Sequence, residues 1–252
     1  MVYGCADSRN PLLAAKYGYA IGEEARYREK DVLLGPGVNI YRTPLNGRNF
    51  EYMGEDPYLA SELCVPYIQG VQKNGVAACV KHYALNNQEL WRGHIDVQLS
   101  DRALYEIYLP AFKAAVERGK AWSIMGAYNK VRGTHATHHK LLNNDILKGE
   151  WNFDGCVITD WGAAHDTYEA AMYGLDIEMG SYTNGLTSES EFGYDDYYLG
   201  KSYLKMVREG APIMMKVEEK QRLKYTLLSS VLLILCPTVI QIVFSKLIAI
   251  LN

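Results

Sequence analysis

Apolar positions along the chain fall into two recurring spacings. Over Asn10 to Arg28, Leu12, Leu13, Ala15, Ala20, Ile21 and Ala25 recur at helical intervals, with Pro11 at a first helical position. Tyr58 to Lys73 repeats the helical pattern through Leu59, Leu63, Tyr67 and Val71, and Asp101 to Arg118 does so through Leu104, Ile107, Tyr108, Phe112 and Ala115 behind the capping residue Ser100. Leu141 to Lys148 and Thr167 to Tyr173 predict two shorter helices. Between these lie short runs too brief for helices and rich in strand formers: Asp31–Leu34, Val76–Val80, Ser123–Tyr128, Cys156–Thr159 and Leu175–Met179.

Strands alternating with helices, most strands ending in polar residues, predict an α/β fold of parallel βα units. Five strands are visible where a closed barrel needs eight, so the expectation is an incomplete (β/α)8 barrel of the TIM type over residues 1–210. Asn39 to Pro57 is a polar loop too long for a connector and is a candidate for function. After Gly185 the sequence turns polar and Tyr-rich, and residues 211–252 change character again. Tyr225 to Ser245 carries no charge between Lys224 and Lys246 and reaches the length that spans a bilayer. Pro237 and Gln241 weaken that reading, and an apolar tail foreign to the upstream fold is the equal alternative; the first would give membrane contact through 225–245.

Composition narrows the classes without choosing among them. A net charge of −3 gives no bias towards nucleic acid. The five cysteines are scattered without a CxxC pair, so neither a disulfide framework nor a zinc site follows, and Cys79 and Cys156 read as small core residues. Met1 to Cys5 has neither a basic start nor an apolar stretch, so no signal peptide is expected and the compartment stays unassigned. Thr134 to His139 is dense in histidine but has no matching acidic or cysteine cluster, so no metal is expected there; Gly35-Pro36-Gly37 lacks the spacing of a phosphate-binding loop.

The chemistry concentrates at strand ends. Asp160 follows Cys156–Thr159, Lys81 and His82 follow Val76–Val80, and Arg48 sits in the long loop. A parallel barrel brings its strand ends together on one face, so these four positions can become neighbours. A carboxylate beside a guanidinium and an ammonium is held ionised, which suits a nucleophile or a binder of polyhydroxylated ligands. Trp161 offers a face for stacking. The plainer reading of Asp160 is a cap on a helix beginning at Ala163-Ala164-His165.

A series of motifs in order sharpens this: Gly35-Pro36-Gly37-Val38-Asn39-Ile40; Asn46-Gly47-Arg48-Asn49-Phe50-Glu51 running into Gly54-Glu55-Asp56-Pro57-Tyr58; and Lys81-His82-Tyr83-Ala84-Leu85-Asn86-Asn87-Gln88-Glu89. Tyr108-Leu109-Pro110-Ala111-Phe112, Met125-Gly126-Ala127-Tyr128-Asn129-Lys130-Val131, Trp151-Asn152-Phe153-Asp154-Gly155 and Val157-Ile158-Thr159-Asp160-Trp161-Gly162 follow. From about Asp7 to about Glu209 the chain resembles the N-terminal catalytic domain of glycoside hydrolase family 3, of the β-glucosidase and β-xylosidase kind; the tail from Ala211 does not. The resemblance implies a retaining glycosidase acting on a small-molecule β-glycoside or oligosaccharide with no cofactor. Asp160 would be the nucleophile, with Arg48, Lys81 and His82 on glycone hydroxyls and Met125, Tyr128 and Trp161 lining the sugar subsite. A retaining enzyme needs a second carboxyl group about 5–5.5 Å from the nucleophile. The family draws it from a following domain, and of the in-chain candidates Glu55, Glu89 and Glu178 none matches it. Hydrolysis of terminal β-linked glucose or xylose is therefore one expectation, and a non-catalytic barrel remnant is the other.

Overall fold

Asn10 starts the first helix by accepting the N–H groups of Leu12 and Leu13 on its side-chain oxygen, with Pro11 behind it where no N–H is needed. The computed structural model of the chain describes residues 8–180 and 197–210. Helix α1 is Pro11–Tyr27, and α2, Pro57–Gln72, starts in the same way on Asp56. Of the predicted apolar stripe of α1 only Ala25 is fully buried; Ala14, Gly18 and Gly22 are inside with it, while Leu12 and Leu13 are exposed. The reason is close approach. A Cβ on Gly18 would collide with the backbone of Tyr67 in α2, and one on Gly70 with the backbone of α1. Small side chains set the helix–helix distance here, and hydrophobicity does not report it.

The central sheet is parallel, in the order β1 (Val32–Leu33), β2 (Ala77–Tyr83), β4 (Ser123–Gly126), β7 (Cys156–Thr159). Val32 pairs with Ala77, Cys79 with Ser123, and Ser123 with Cys156, so each strand adds on the same side as the last. The β2–β4 register shifts between Val80 and Tyr83, and the Lys81–His82 and Tyr83–Ala84 peptides are cis. The predicted fifth strand lies alongside β7 through one parallel bridge, Ile158 to Ile177, and bonds such as Thr159 N–H to the Ile177 carbonyl. The Asp176 carboxylate accepts from the Lys148 ammonium and from the Val157 N–H, and the Asp176 and Ile177 N–H groups share the Val157 carbonyl.

Two further departures have local causes. The predicted helix Asp101 to Arg118 is divided into Asp101–Ala103, a wider turn over Leu104–Tyr108, and helix α3, Pro110–Glu117. Pro110 has no N–H, and the Leu109 N–H reaches back to the Leu104 carbonyl, one residue beyond the α-helical partner. A small second sheet, β3 (Asp96–Val97), β5 (Lys130–Val131) and β6 (Thr134–His135), was not expected. Its hairpin turns on Arg132 and Gly133, both with positive φ, as a two-residue turn between right-twisted strands requires. The helical segment Lys140–Glu150 leads into β7, and α4, Thr167–Met172, follows it.

Strand alternation sorts the side chains. Val80, Ile124 and Val157 join the large core beneath the helices with Leu63, Phe112 and Ile146. Cys79, Met125 and Ile158 form a small separate cluster with Val32 and Met179. Lys81 and Asp160 follow Cys79 and Ile158 at a spacing of two, which assigns them to that second face. Residues 225–245 and the 210/211 boundary fall at or beyond the edge of the described residues; among those described, no helix is long and apolar enough to cross a membrane.

Candidate functional site

Asp160 leaves β7 with its backbone N–H on the Gly126 carbonyl, so the end of β4 fixes where its side chain begins. It does not cap a helix: α4 begins at Thr167 and is capped by Asp166, whose Oδ1 accepts the Glu169 N–H at 2.7 Å. The Asp160 carboxylate is free for other work. Its Oδ1 accepts the Trp161 N–H at 2.8 Å, its Oδ2 lies 3.5 Å from His82 Nε2, and it accepts a hydrogen bond from the Tyr128 hydroxyl.

His82 is held from three directions. Asn39 grips its backbone, Oδ1 accepting the His82 N–H at 2.8 Å and Nδ2 donating to its carbonyl at 2.9 Å. The Tyr52 hydroxyl stands 3.1 Å from Nδ1. Burial pushes the imidazole well below the usual histidine range, and the positive charges of Arg48, Lys81 and Arg92 push the same way. His82 is therefore neutral at pH 7. Burial also raises the Tyr52 phenol, which stays protonated and donates to Nδ1, leaving Nε2–H directed at Asp160. Asp160 thus meets a neutral donor on this side, and its charge is not cancelled by an imidazolium.

The cations form a chain with two glutamates. Arg48 pairs with Glu51 at 2.7 Å, Lys81 reaches the same carboxylate at 3.2 Å, and Glu89 lies 3.9 Å from Arg48 and 2.7 Å from Arg92. Burial alone would raise the Glu51 carboxyl, but the Arg48 hydrogen bond and the charges of Lys81 and Arg48 outweigh it and hold the group below the ordinary value. The Arg92 guanidinium sits 4.4 Å above the Tyr128 ring. Burial, followed by the neighbouring Asp160 carboxylate, pushes the Tyr128 phenol up to about 12, so it remains a donor across the working pH range.

Five of the seven expected positions surround this centre: Asp160 with His82 and Tyr128 each against its carboxylate, and Arg48 and Lys81 in the linked charge network. Trp161 is partly exposed, with its ring lying where a Cβ on Gly180 would stand; Gly180 also has positive φ, so glycine is required there twice over. Met125 is buried with Cys79 and Ile158 in the layer beneath, and contributes packing there. Arg92, Tyr52 and Glu51 were not singled out from the sequence. Arg92 comes three residues after Glu89, and a charged pair at that spacing in a loop following a strand end was the signal to use. Among the in-chain carboxyls considered as a second acid, Glu89 is taken by Arg92, and Glu178 accepts the Leu199 N–H at 2.8 Å.

Searches against known proteins agree with one another. The chain is 96% identical over 215 residues to the β-glucosidase BoGH3A of Bacteroides ovatus, a match covering 85% of this chain and 29% of that protein. It is 47% identical over 182 residues to an exo-α-(1→6)-L-arabinopyranosidase of Bifidobacterium longum, covering 72% of this chain and 24% of that one. The β-glucosidase 3B of Thermotoga neapolitana, solved in complex with glucose, superposes with a TM-score of 0.74 at 40% identity over 82% of this chain and 28% of its own. The chain spans less than a third of the length of these relatives. The sequence model of the glycosyl hydrolase family 3 N-terminal domain matches residues 2–179, more than half of the chain, and the chain belongs to that family.

Proposed function

We propose that this chain carries the nucleophile and glycone-binding part of a retaining β-glycosidase acting on terminal β-linked glucose or xylose. The observation that carries the reading is the Asp160 carboxylate at the mouth of a parallel sheet, facing a neutral His82 and the Tyr128 hydroxyl, with three cations close by. In this reading Asp160 attacks the anomeric carbon as the glycosidic bond breaks, giving a covalent glycosyl-enzyme that water then hydrolyses. Tyr128 holds the nucleophile by a hydrogen bond, and the His82 ring stands beside it with Nε2 3.5 Å from Oδ2. Arg48, Lys81 and Arg92 offer charged donors to ring hydroxyls, and Trp161 gives an apolar face to the sugar. The solved relative in complex with glucose supports a monosaccharide of this shape as the ligand.

Glu51 and Glu89, the carboxyls beside this centre, are engaged by cations, and neither is offered as the acid for the leaving group. The decisive experiment therefore uses a substrate that needs no acid. 2,4-Dinitrophenyl 2-deoxy-2-fluoro-β-D-glucoside loses a stable phenolate unaided, and the fluorine slows release of the trapped sugar. Mass mapping is expected to find one glucosyl adduct, on Asp160, absent from Asp160→Asn. An adduct elsewhere, or none under conditions where a full-length relative is trapped, refutes the assignment.

A further inference from the structure

The loop that follows Asp160 runs from Trp161 to the start of α4, and it is fastened by a group of histidines with no part in the reaction above. His138 is buried, and its Nε2 accepts the backbone N–H of His165 at 3.2 Å. An acceptor at Nε2 puts the proton on Nδ1, which lies 2.9 Å from Glu169 Oε2 in the first turn of α4. The His165 ring in turn stacks on His135, centroids 3.7 Å apart and planes 22° from parallel. His135 Nδ1 is 3.2 Å from the Tyr128 carbonyl and donates to it. Two segments that present side chains to the candidate site are therefore joined behind it: the Asp160–Asp166 loop and the turn carrying Tyr128.

We propose that His138 is a positioning residue for Asp160, acting as a neutral acceptor that pins the loop behind the nucleophile while the His135–His165 stack locks that loop to Tyr128. This inference rests on the reading of Asp160 as nucleophile. The geometry works only with uncharged rings. A proton on His138 Nε2 would face the His165 N–H donor to donor, and protons on His135 and His165 would stack two cations. The surroundings keep the rings neutral. Burial, then the other histidines, lower His135 and His138 to about 4, and burial, with Lys130 and His94, lowers His165. The groups facing the cluster are Lys130 of β5, His94 of the loop after β2, and Asp166 and Glu169 at the start of α4; Glu169 is itself raised, first by burial and then by Asp166. With His135 and His138 near 4 and His165 lowered as well, the cluster is silent at neutral pH and disengages in acid.

The test uses the 252-residue chain, His138→Leu, which keeps bulk without an acceptor, and His138→Gln, whose amide oxygen can reach the place of Nε2. The first readout is independent of glycosidase chemistry: nitrogen-15 spectra of the imidazoles at pH 7 should show His138 protonated at Nδ1, and the His165 amide should exchange slowly in the parent and the Gln variant but fast in the Leu variant. The second is trapping of Asp160 by the dinitrophenyl fluoroglucoside. His138→Leu is expected to lower the maximal trapping rate roughly ten- to a hundredfold with little change in half-saturating concentration, as misplacement of a reacting group does, and His138→Gln to recover most of it. The parent rate should hold from pH 7 to 5 and fall as pH approaches 4. Protonation at Nε2, or a Leu variant that traps as fast as the parent, overturns the proposal. If the parent itself is not trapped, the assignment of Asp160 has failed, and tautomer and amide exchange alone decide whether His138 anchors the loop. A Leu variant that does not fold leaves the parent tautomer and the Gln variant to decide.

Discussion

On the helix-covered face of the central sheet, Val80, Ile124 and Val157 belong to a continuous core with Phe112, Leu63, Ile68 and Ile146. On the opposite face, Cys79, Met125 and Ile158 meet one another, Val32 and Met179, and two residues further along the strands the chemistry begins with Lys81 and Asp160. The same strands supply both, one residue apart. The first face holds the fold by apolar burial, and the second places charge in a partly dry setting. Stability and reactivity thus divide between the two faces up to Lys81, beyond which the β2 register shifts and the alternation breaks, His82 entering the site and Tyr83 the core; substitutions on the two faces should behave differently.

The largest effect is expected on the first face. Phe112 is fully buried and its ring meets Tyr83 edge-on at 5.1 Å. Phe112→Ala should cost about 3–5 kcal/mol, read as a drop in the denaturant midpoint. The equivalent deletion on the second face, Met125→Ala, removes a side chain with a much smaller set of apolar neighbours, and about 2 kcal/mol, the low end for such truncations, is expected. Equal costs would mean that both faces carry the fold alike.

These contrasts also explain what could be read from the sequence. β7 was legible in full because Cys156–Thr159 is an unbroken run of strand formers, buried from Val157 onward with Cys156 half-buried, and Asp160 stood out as a carboxylate at its end. The face of α1 was not, because Ala14, Gly18 and Gly22 are inside for their small size and a hydrophobic count passes over them. The second sheet has strands of two residues, too short for any period to register. Lys81 and His82 were marked by the strand end, whereas Tyr52 and Arg92 reach the site from irregular segments through partners 30 and 36 residues away, His82 and Tyr128. Only the folded chain joins such pairs.

Acid should destabilise the chain through the histidines at the site and behind it. His82 lies well below its ordinary value in the folded chain, and His135 and His138 near 4, against about 6.5 when unfolded. Between pH 6.5 and 4 the unfolded chain binds more protons than the folded one, so stability falls as pH falls through that window. Glu51, with its lowered value, adds to the loss near the acid end, and Glu169, with its raised value, opposes it. Melting temperature followed from pH 7.5 to 4.5 should decline steadily below 6.5. A flat profile would show that these rings gain protons without penalty.

The smallest stability effect is expected where the functional effect is greatest. Asp160→Asn replaces a mostly buried carboxylate by an amide of the same shape, and the cations nearby do not depend on it: Arg48 and Lys81 are paired with Glu51, and Arg92 with Glu89. The amide can keep its oxygen towards the Tyr128 hydroxyl and the Trp161 N–H, and loses chiefly the interaction with His82 at 3.5 Å, long for a hydrogen bond. Removing a charge held in a site shaped for reaction often leaves a protein as stable as before, or more so. Melting at pH 7 should therefore shift by less than about 1 kcal/mol in either direction while trapping is abolished. A loss of about 3 kcal/mol or more, the cost of breaking a buried ion pair, would make Asp160 a structural partner of the surrounding cations and erase the distinction between the two faces.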